Sequence, residues 1–326
     1  MVEDTLRMII VKAPLRISFF GGSTDYESFY KEHGSFIIGT TIDKYIWLSA
    51  RYRPEILPKE SSIGYSKLEM VSSFNDISNP LIREVLRHHK LGRHIDFHST
   101  ADVPSRTGLG GSSSFCVGMT HLMKTLKDEP TNKRDLVKTA IHIERNVLKE
   151  SGGIQDHILS AYGGLNTITI QKDGDFIVKP VPVSEEFKSA FENSTLLVYT
   201  NSQRDQKKIA KSHENKDKKK ILELAQEAYQ AFTREDIPEI GRLLFQSWEE
   251  KRKISNLVST PHIDDTVTRV MKLGAYGTKL LGSGGCGFLV VICNPKAKKR
   301  ITQAFAKDIL AFKFENNGTE VVYPTS

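Results

Sequence analysis

The run Pro104-Ser105-Arg106-Thr107-Gly108-Leu109-Gly110-Gly111-Ser112-Ser113-Ser114-Phe115 constrains this chain more than any other segment, because glycines and hydroxyls crowd together just ahead of an apolar helical pattern. Glycine lets the backbone turn tightly and approach an anion. A helix start adds unsatisfied N–H groups and the positive end of its dipole. Phe115, Val117, Met119, Leu122, Met123 and Leu126 recur at helical spacing and predict a buried helix over 113–127. Two readings stand side by side: a phosphate cradle, or a Gly/Ser-rich surface loop before an ordinary helix.

A Walker loop is excluded, since Gly111 is followed by Ser112 where that pattern needs lysine. A formal Gly-x-Gly-x-x-Gly occurs at Gly282, Gly284 and Gly287, but it runs into Phe288-Leu289-Val290-Val291-Ile292-Cys293, a strand pattern. A dinucleotide fingerprint opens a helix instead.

The 326 residues suffice for two domains, and 39% apolar residues exclude a chain disordered throughout. No apolar run approaches the roughly 20 residues of a membrane span, and Met1-Val2-Glu3-Asp4 does not resemble a signal peptide. The expected location is cytoplasmic. Cys116, Cys286 and Cys293 fit neither a disulfide framework nor a zinc site and read as small buried residues. Much of the net charge of +7 lies between Lys207 and Lys220 without interleaved aromatics, so it reads as a solvated face and gives little support to a nucleic-acid partner.

Strand patterns cover 8–11, 15–20, 35–50 and 94–99, with helices over 24–33, 77–89, 136–150 and 154–162. A strand pair over 165–171 and 176–181 follows, turning at Asp173-Gly174. Further on, strands are expected at 195–200 and 288–293, and helices at 218–232, 237–257 and 263–273. This is a mixed α+β chain in two lobes, 1–163 and 164–326, with the boundary near Gly163.

Four features stand in a fixed order. They are Ala13-Pro14-Leu15-Arg16 leading to Gly21-Gly22-Ser23-Thr24-Asp25-Tyr26; the Gly108 loop; Gly153-Ile154-Gln155-Asp156; and Leu281-Gly282-Ser283-Gly284-Gly285-Cys286-Gly287-Phe288. This order resembles the GHMP kinase superfamily over nearly the whole chain. Within it, Pro14-Leu15-Arg16-Ile17-Ser18-Phe19, the Gly21–Asp25 run and Thr40-Thr41-Ile42-Asp43-Lys44-Tyr45 look most like the D-glycero-D-manno-heptose 7-phosphate kinases.

The resemblance implies a ribosomal-protein-S5-like N-terminal, ATP-binding domain and a ferredoxin-like C-terminal domain. It also implies transfer of the ATP γ-phosphate to the anomeric C1 hydroxyl of the heptose phosphate, giving a 1,7-bisphosphate for nucleotide-activated heptoses. Asp156 matches the superfamily's active-site aspartate, and Arg16 the neighbouring cation. A carboxylate beside a permanent cation is a weaker base, so Asp156 is expected chiefly to orient the hydroxyl and accept its proton late. Its residue-level alternative is a helix cap. Pro104, Gly108, Leu109, Gly110, Gly111, Ser112, Ser113 and Ser114 correspond to the ATP-binding segment, and Ser112 with Glu144 to the Mg²⁺ ligands. Gly111 stands where many members have serine, which leaves Ser113 as a rival to Ser112.

For the sugar, Gly22, Ser23 and Asp25 match the sugar-contact segment. Gly284 and Gly285 would let the chain pass close to substrate. Lys44 and Arg204, with Lys207 or Lys208 behind them, are the candidates for the distal phosphate. His88, His89 and His98 receive no role. The rival readings are a sugar 1-kinase acting on galactose or fucose, a non-catalytic sugar- or ATP-binding regulator, and, on charge alone, a nucleic-acid binder.

Overall fold

Strand β1 (Ile9–Phe20) alternates buried and half-buried residues up to Lys12 and is buried at every position beyond. The change marks where helices cover it on more than one side: Gly111–Leu126 from its own lobe, and Lys219–Thr233 and Ile237–Ile254 from the other. In the computed structural model, which describes residues 7–201, 206–214 and 216–323, β1 runs unbroken through Pro14, where the sequence predicts a stop. Proline donates no ladder hydrogen bond. The pairing with β2 (Ser35–Tyr52) absorbs it in a bulge, Pro14 facing Tyr45 while Leu15 faces Ile42.

Between these strands lies the short helix α1 (Glu27–His33). The first lobe continues with β3 (Ser61–Gly64), β4 (Leu68–Val71), α2 (Pro80–His89), β5 (Ile95–Ala101), α3 (Gly111–Leu126), α4 (Lys133–Ile141) and α5 (Gln155–Tyr162). The hairpin β6 (Asn166–Ile170) and β7 (Phe176–Pro180) comes next.

The sequence predicts one regular helix over 136–150. Instead α4 passes at Ile141 into a π-helical turn, His142–Val147, in which the Leu148 N–H reaches the Ile143 carbonyl. The extra residue turns Glu144 inward, and such π-turns are frequent at functional sites.

The second lobe contains α6 (Glu185–Asn193), β8 (Thr195–Tyr199), α7 (Gln206–Lys211), α8 (Lys219–Thr233), α9 (Ile237–Ile254) and α10 (Pro261–Lys272). It closes with β9 (Ala275–Leu280), β10 (Phe288–Cys293), α11 (Pro295–Ala304) and β11 (Ile309–Leu310). Its antiparallel sheet has the order β11-β8-β10-β9. Helix α9 lies unusually close to β9, because a Cβ on Gly277 would stand 1.8 Å from the Gly241 carbonyl oxygen.

The sheet of the first lobe has the order β13-β1-β2-β5-β3-β4, with β13 being Glu320–Tyr323, and two further connections cross the boundary expected at Gly163. The β6–β7 hairpin pairs with the start of β2, Ser35 opposite Ile170. From the chain's end, β12 (Phe314–Glu315) joins β2 and β13 (Glu320–Tyr323) joins β1. The sequence composition changes at Gly163, but the hydrogen-bonded sheet does not end there. One apolar core runs through the first lobe into α8 and α9, and a second, around Trp248, lies under the second sheet. Among the described residues no helix is long and apolar enough to cross a membrane.

Candidate active site

The glycines at 108 and 110 adopt left-handed conformations, φ 79° and 78°, and Gly110 caps α3, which begins at Gly111. A side chain at Gly108 would meet the Leu281 carbonyl oxygen at 2.7 Å, and one at Gly282 would meet the Gly108 Cα at 2.6 Å. The two glycine-rich segments therefore pack backbone on backbone, and the Phe288 N–H donates to the Thr107 carbonyl at 3.0 Å. That contact accounts for two glycines of the formal Gly-x-Gly-x-x-Gly, Gly282 and Gly287, which let a second-lobe loop lie against the first-lobe loop, while Gly284 packs against Val258.

A cavity of about 830 Å³ opens beside this junction, with Gly108, Gly110, Gly111, Ser112 and Ser113 in its wall and Pro104 at one side. Leu109 and Ser114 belong to its scaffold. Leu109 is buried and its carbonyl accepts the Arg16 N–H at 3.0 Å; the Ser114 hydroxyl donates to the Pro14 carbonyl at 2.9 Å, tying α3 to the β1 bulge. Ser114 is thus turned away from the expected phosphate position, because the helical repeat carries it to the β1 face.

Arg16 and Asp156 meet in this cavity. Arg16 Nε donates to Asp156 Oδ1 at 2.6 Å and Nη2 to Oδ2 at 2.5 Å, while Nη1 holds the Gly108 carbonyl. Asp156 is the second residue of α5, and its carboxylate makes an ion pair instead of capping that helix. A planar fork on a carboxylate fixes its orientation as well as its charge.

Glu144 is buried; its Oε1 accepts from Ser112 Oγ at 2.5 Å and its Oε2 from Ser113 Oγ at 2.9 Å, with His157 Nε2 2.6 Å from the same Oε2. Burial opposes its ionisation, but the His157 ring, Arg145 and the Ser112 hydroxyl outweigh that and hold the carboxyl at about 2. An ionised carboxylate and two serine oxygens at a helix N-terminus suit Mg²⁺, a hard cation that needs few protein ligands when phosphates supply the rest. Both serines touch Glu144, so the geometry leaves both as donors.

Asp25 is buried, and burial raises its pKa. Its carboxylate accepts from the N–H groups of Ser23 at 3.1 Å and Gln155 at 3.0 Å, locking the turn after β1 to the start of α5. Gly153 permits that approach, since a Cβ there would fall 1.8 Å from Asp25 Oδ2. Gly22 and Ser23 line the cavity, and the Ser23 hydroxyl is 3.0 Å from His213 Nδ1.

Other expected sugar residues stand elsewhere. Asp43 and Lys44 form the extra residues of the β2 bulge, and the Lys44 ammonium turns onto Asp43 at 2.8 Å, outside the cavity wall. Gly284 and Gly285 lie against Val258, whose carbonyl accepts the Gly285 N–H at 2.8 Å; Gly282 and Ser283 line the cavity in their place. Arg204 lies outside the described residues, as do the side chains of Lys207 and Lys208.

Sequence reasoning missed Arg145, His157, Lys251 and Lys279. Arg145 holds the Gly153 carbonyl at 2.9 Å. Lys251 sits in Glu249-Glu250-Lys251-Arg252-Lys253, which reads as an exposed charge run, yet the helix turns Lys251 alone of these into the cavity. The signal available for His157 was its place beside Asp156.

Comparison with known proteins gives the following. The sequence model of the GHMP kinases N terminal domain matches residues 79–164, and that of the GHMP kinases C terminal domain matches 228–310. The chain is 27% identical to the D-glycero-alpha-D-manno-heptose 7-phosphate kinase of Campylobacter jejuni, over 97% of this chain and 99% of that one. It is 25% identical to the galactokinase of Pyrococcus furiosus, over 93% and 94%. A crystal structure of a D-glycero-D-manno-heptose 1-phosphate kinase from Bacteriodes thetaiotaomicron superposes with a TM-score of 0.80 at 22% identity, covering 98% of this chain and all of that one.

Proposed function

The chain belongs to the GHMP kinases and is an ATP-dependent sugar kinase, and from that premise we propose that its acceptor is a D-glycero-D-manno-heptose 7-phosphate, phosphorylated on the anomeric C1 hydroxyl. The observation that carries the acceptor is the end-to-end similarity to the Campylobacter jejuni heptose 7-phosphate kinase. The product in this reading is the 1,7-bisphosphate, made in the cytoplasm.

Phosphoryl transfer asks the protein mainly to position the nucleophile and stabilise spreading negative charge. In our reading the Gly108 loop and the N-terminus of α3 cradle the ATP phosphates. Ser112 and Glu144, with Ser113 beside them, would hold Mg²⁺, which neutralises phosphate charge when bound. Asp156 orients the anomeric hydroxyl and takes its proton late. With both its oxygens on Arg16 it suits orientation better than early deprotonation, and an anomeric hydroxyl is acidic enough to need no strong base. Arg16 stands ready to stabilise charge on the transferred group. The Gly22–Asp25 turn contacts the sugar.

A coupled ADP-release assay over phosphorylated and plain sugars tests this. Heptose 7-phosphate giving the highest kcat/KM supports it, and a preference for unphosphorylated galactose or fucose replaces it with the galactokinase-like reading.

A further inference from the structure

Two lysines of the second lobe, Lys251 on α9 and Lys279 on β9, line the cavity although each is only 4% exposed. Lys251 Nζ donates to the Leu280 carbonyl at 3.1 Å and the Gly282 carbonyl at 2.5 Å. Lys279 Nζ donates to the carbonyls of Ser18 at 3.2 Å and Phe19 at 2.7 Å. An ammonium has three N–H donors, so each lysine keeps one beyond those two bonds. Every partner is a neutral carbonyl, and no carboxylate among the described residues forms an ion pair with either nitrogen.

We propose that Lys251 and Lys279 form the subsite for a phosphate monoester dianion, namely the phosphate that the acceptor sugar already carries. The proposal rests on the reading of a phosphorylated acceptor. The transferred phosphoryl group has donors of its own in the first lobe, at the start of α3, Ser112 and Arg16. The lysine pair comes from the second lobe, on α9 and β9, and adds to the same cavity wall as Gly282 and Ser283 two amines onto which a dianion can draw protons. It takes the place of Lys44, which points elsewhere.

The surrounding charges leave this pair without a counter-ion. Arg16 on β1 is a cation, and Asp156 on α5 is committed to it. Asp25, in the turn after β1, already accepts two backbone N–H groups, and burial disfavours its charge. His213, after α7, is held at about 3 by burial and by the charge of Lys251. Burial first, then Arg16, pushes Lys251 down to about 7. Burial first, then Lys251, pushes Lys279 well below its usual value. A dianion entering here supplies the missing charge and draws protons onto the amines, so phosphate-ester binding is coupled to proton uptake.

The test is calorimetric titration at pH 7.5 in two buffers of different ionisation enthalpy, with the enzyme saturated by a non-hydrolysable ATP analogue and magnesium. The titrants are heptose 7-phosphate, the unphosphorylated heptose and inorganic phosphate. Both phosphate-bearing ligands bind with net proton uptake, and the plain heptose binds with none. Lys251→Met weakens heptose 7-phosphate by at least about tenfold, on the scale of a charge-assisted hydrogen bond, and leaves the nucleotide analogue within about twofold. Lys251→Arg, which cannot deprotonate, keeps more of the affinity and lowers the proton uptake. Lys279→Met behaves as Lys251→Met does; where it fails to fold, the two Lys251 variants and the wild-type proton count decide.

Equal proton uptake with phosphorylated and plain ligands overturns the subsite, as does unchanged phosphate-ester affinity in Lys251→Met. Lys251-dependent binding of inorganic phosphate without turnover of heptose 7-phosphate keeps the subsite and removes the heptose reading. Turnover of heptose 7-phosphate at wild-type KM by Lys251→Met does the reverse.

Discussion

Arg16 and Asp156, 140 positions apart in the chain, meet in a two-pronged ion pair, Nε on Oδ1 at 2.6 Å and Nη2 on Oδ2 at 2.5 Å. The third arm of the guanidinium holds the Gly108 carbonyl, so one side chain ties the aspartate to the glycine loop.

Asp156→Asn keeps the shape and removes the charge. The expected result is a fall in kcat of about 100- to 10,000-fold, the range for a positioned proton acceptor, with the dissociation constant for a non-hydrolysable ATP analogue changed by less than about twofold. Near-wild-type turnover would remove Asp156 from the chemistry.

Glu144→Gln removes the ionised carboxylate that Ser112 and Ser113 face. The concentration of Mg²⁺ needed for half-maximal activity should rise by at least about tenfold, while the sugar KM at saturating Mg²⁺ moves far less. Direct Mn²⁺ binding, followed by electron paramagnetic resonance in the presence of ADP, should weaken in parallel. Unchanged metal titrations would place the cation elsewhere.

Gly153→Ala puts a methyl group where Asp25 Oδ2 stands, 1.8 Å from the ideal Cβ position. The Asp25 carboxylate must then leave the Gln155 N–H. The expected cost is about 1–3 kcal/mol of stability, as for other overpacked sites. The acceptor KM should rise while the ATP KM changes little, read by denaturant unfolding and steady-state kinetics. Equal effects on both substrates would contradict a specific role for this contact in acceptor binding.

Three buried histidines give the stability a pH dependence of known sign. Burial lowers His89 and His121 to about 4 and His213 to about 3, from an unfolded value near 6.5. Each binds fewer protons folded than unfolded, so its stabilising contribution is complete above about pH 6.5. It is lost as pH falls toward 4, and for His213 toward 3, by about 1.4 kcal/mol per pH unit per histidine. Denaturant midpoints between pH 7 and 4.5 should fall, and His89→Phe should flatten that fall. A midpoint independent of pH over this window would contradict the assignment.

The structure brings the glycine loop, Arg16, Asp156 and Glu144 to one cavity, and the sequence pointed to them through the order of motifs that the family resemblance supplied; by its own neighbours Glu144 reads as a surface residue and Asp156 equally as a helix cap. The topology was less legible. The sequence at Gly163 reads as a boundary, but β6 pairs with β2 and the last strands return to the first sheet, a choice made by long-range hydrogen bonds that no local window contains. The second-lobe lysines were illegible for a related reason. Lys251 has the same neighbours in sequence as an exposed helix face, and only the packing of α9 on β9, allowed by Gly241 against Gly277, turns it inward. Lys44 shows the converse, a residue inside a recognisable motif that a strand bulge carries away from the cavity.

In the proposed reaction the γ-phosphate of ATP reaches C1 of a sugar that already bears a phosphate. The most direct measurement is phosphorus NMR of the reaction with ATP and D-glycero-D-manno-heptose 7-phosphate. The expected result is a new anomeric phosphate resonance, with proton–phosphorus coupling to H1, growing at the rate of ADP formation while the 7-phosphate signal persists. A new phosphate coupled to any other ring proton, or no product from this sugar beside rapid turnover of unphosphorylated galactose or fucose, would contradict it.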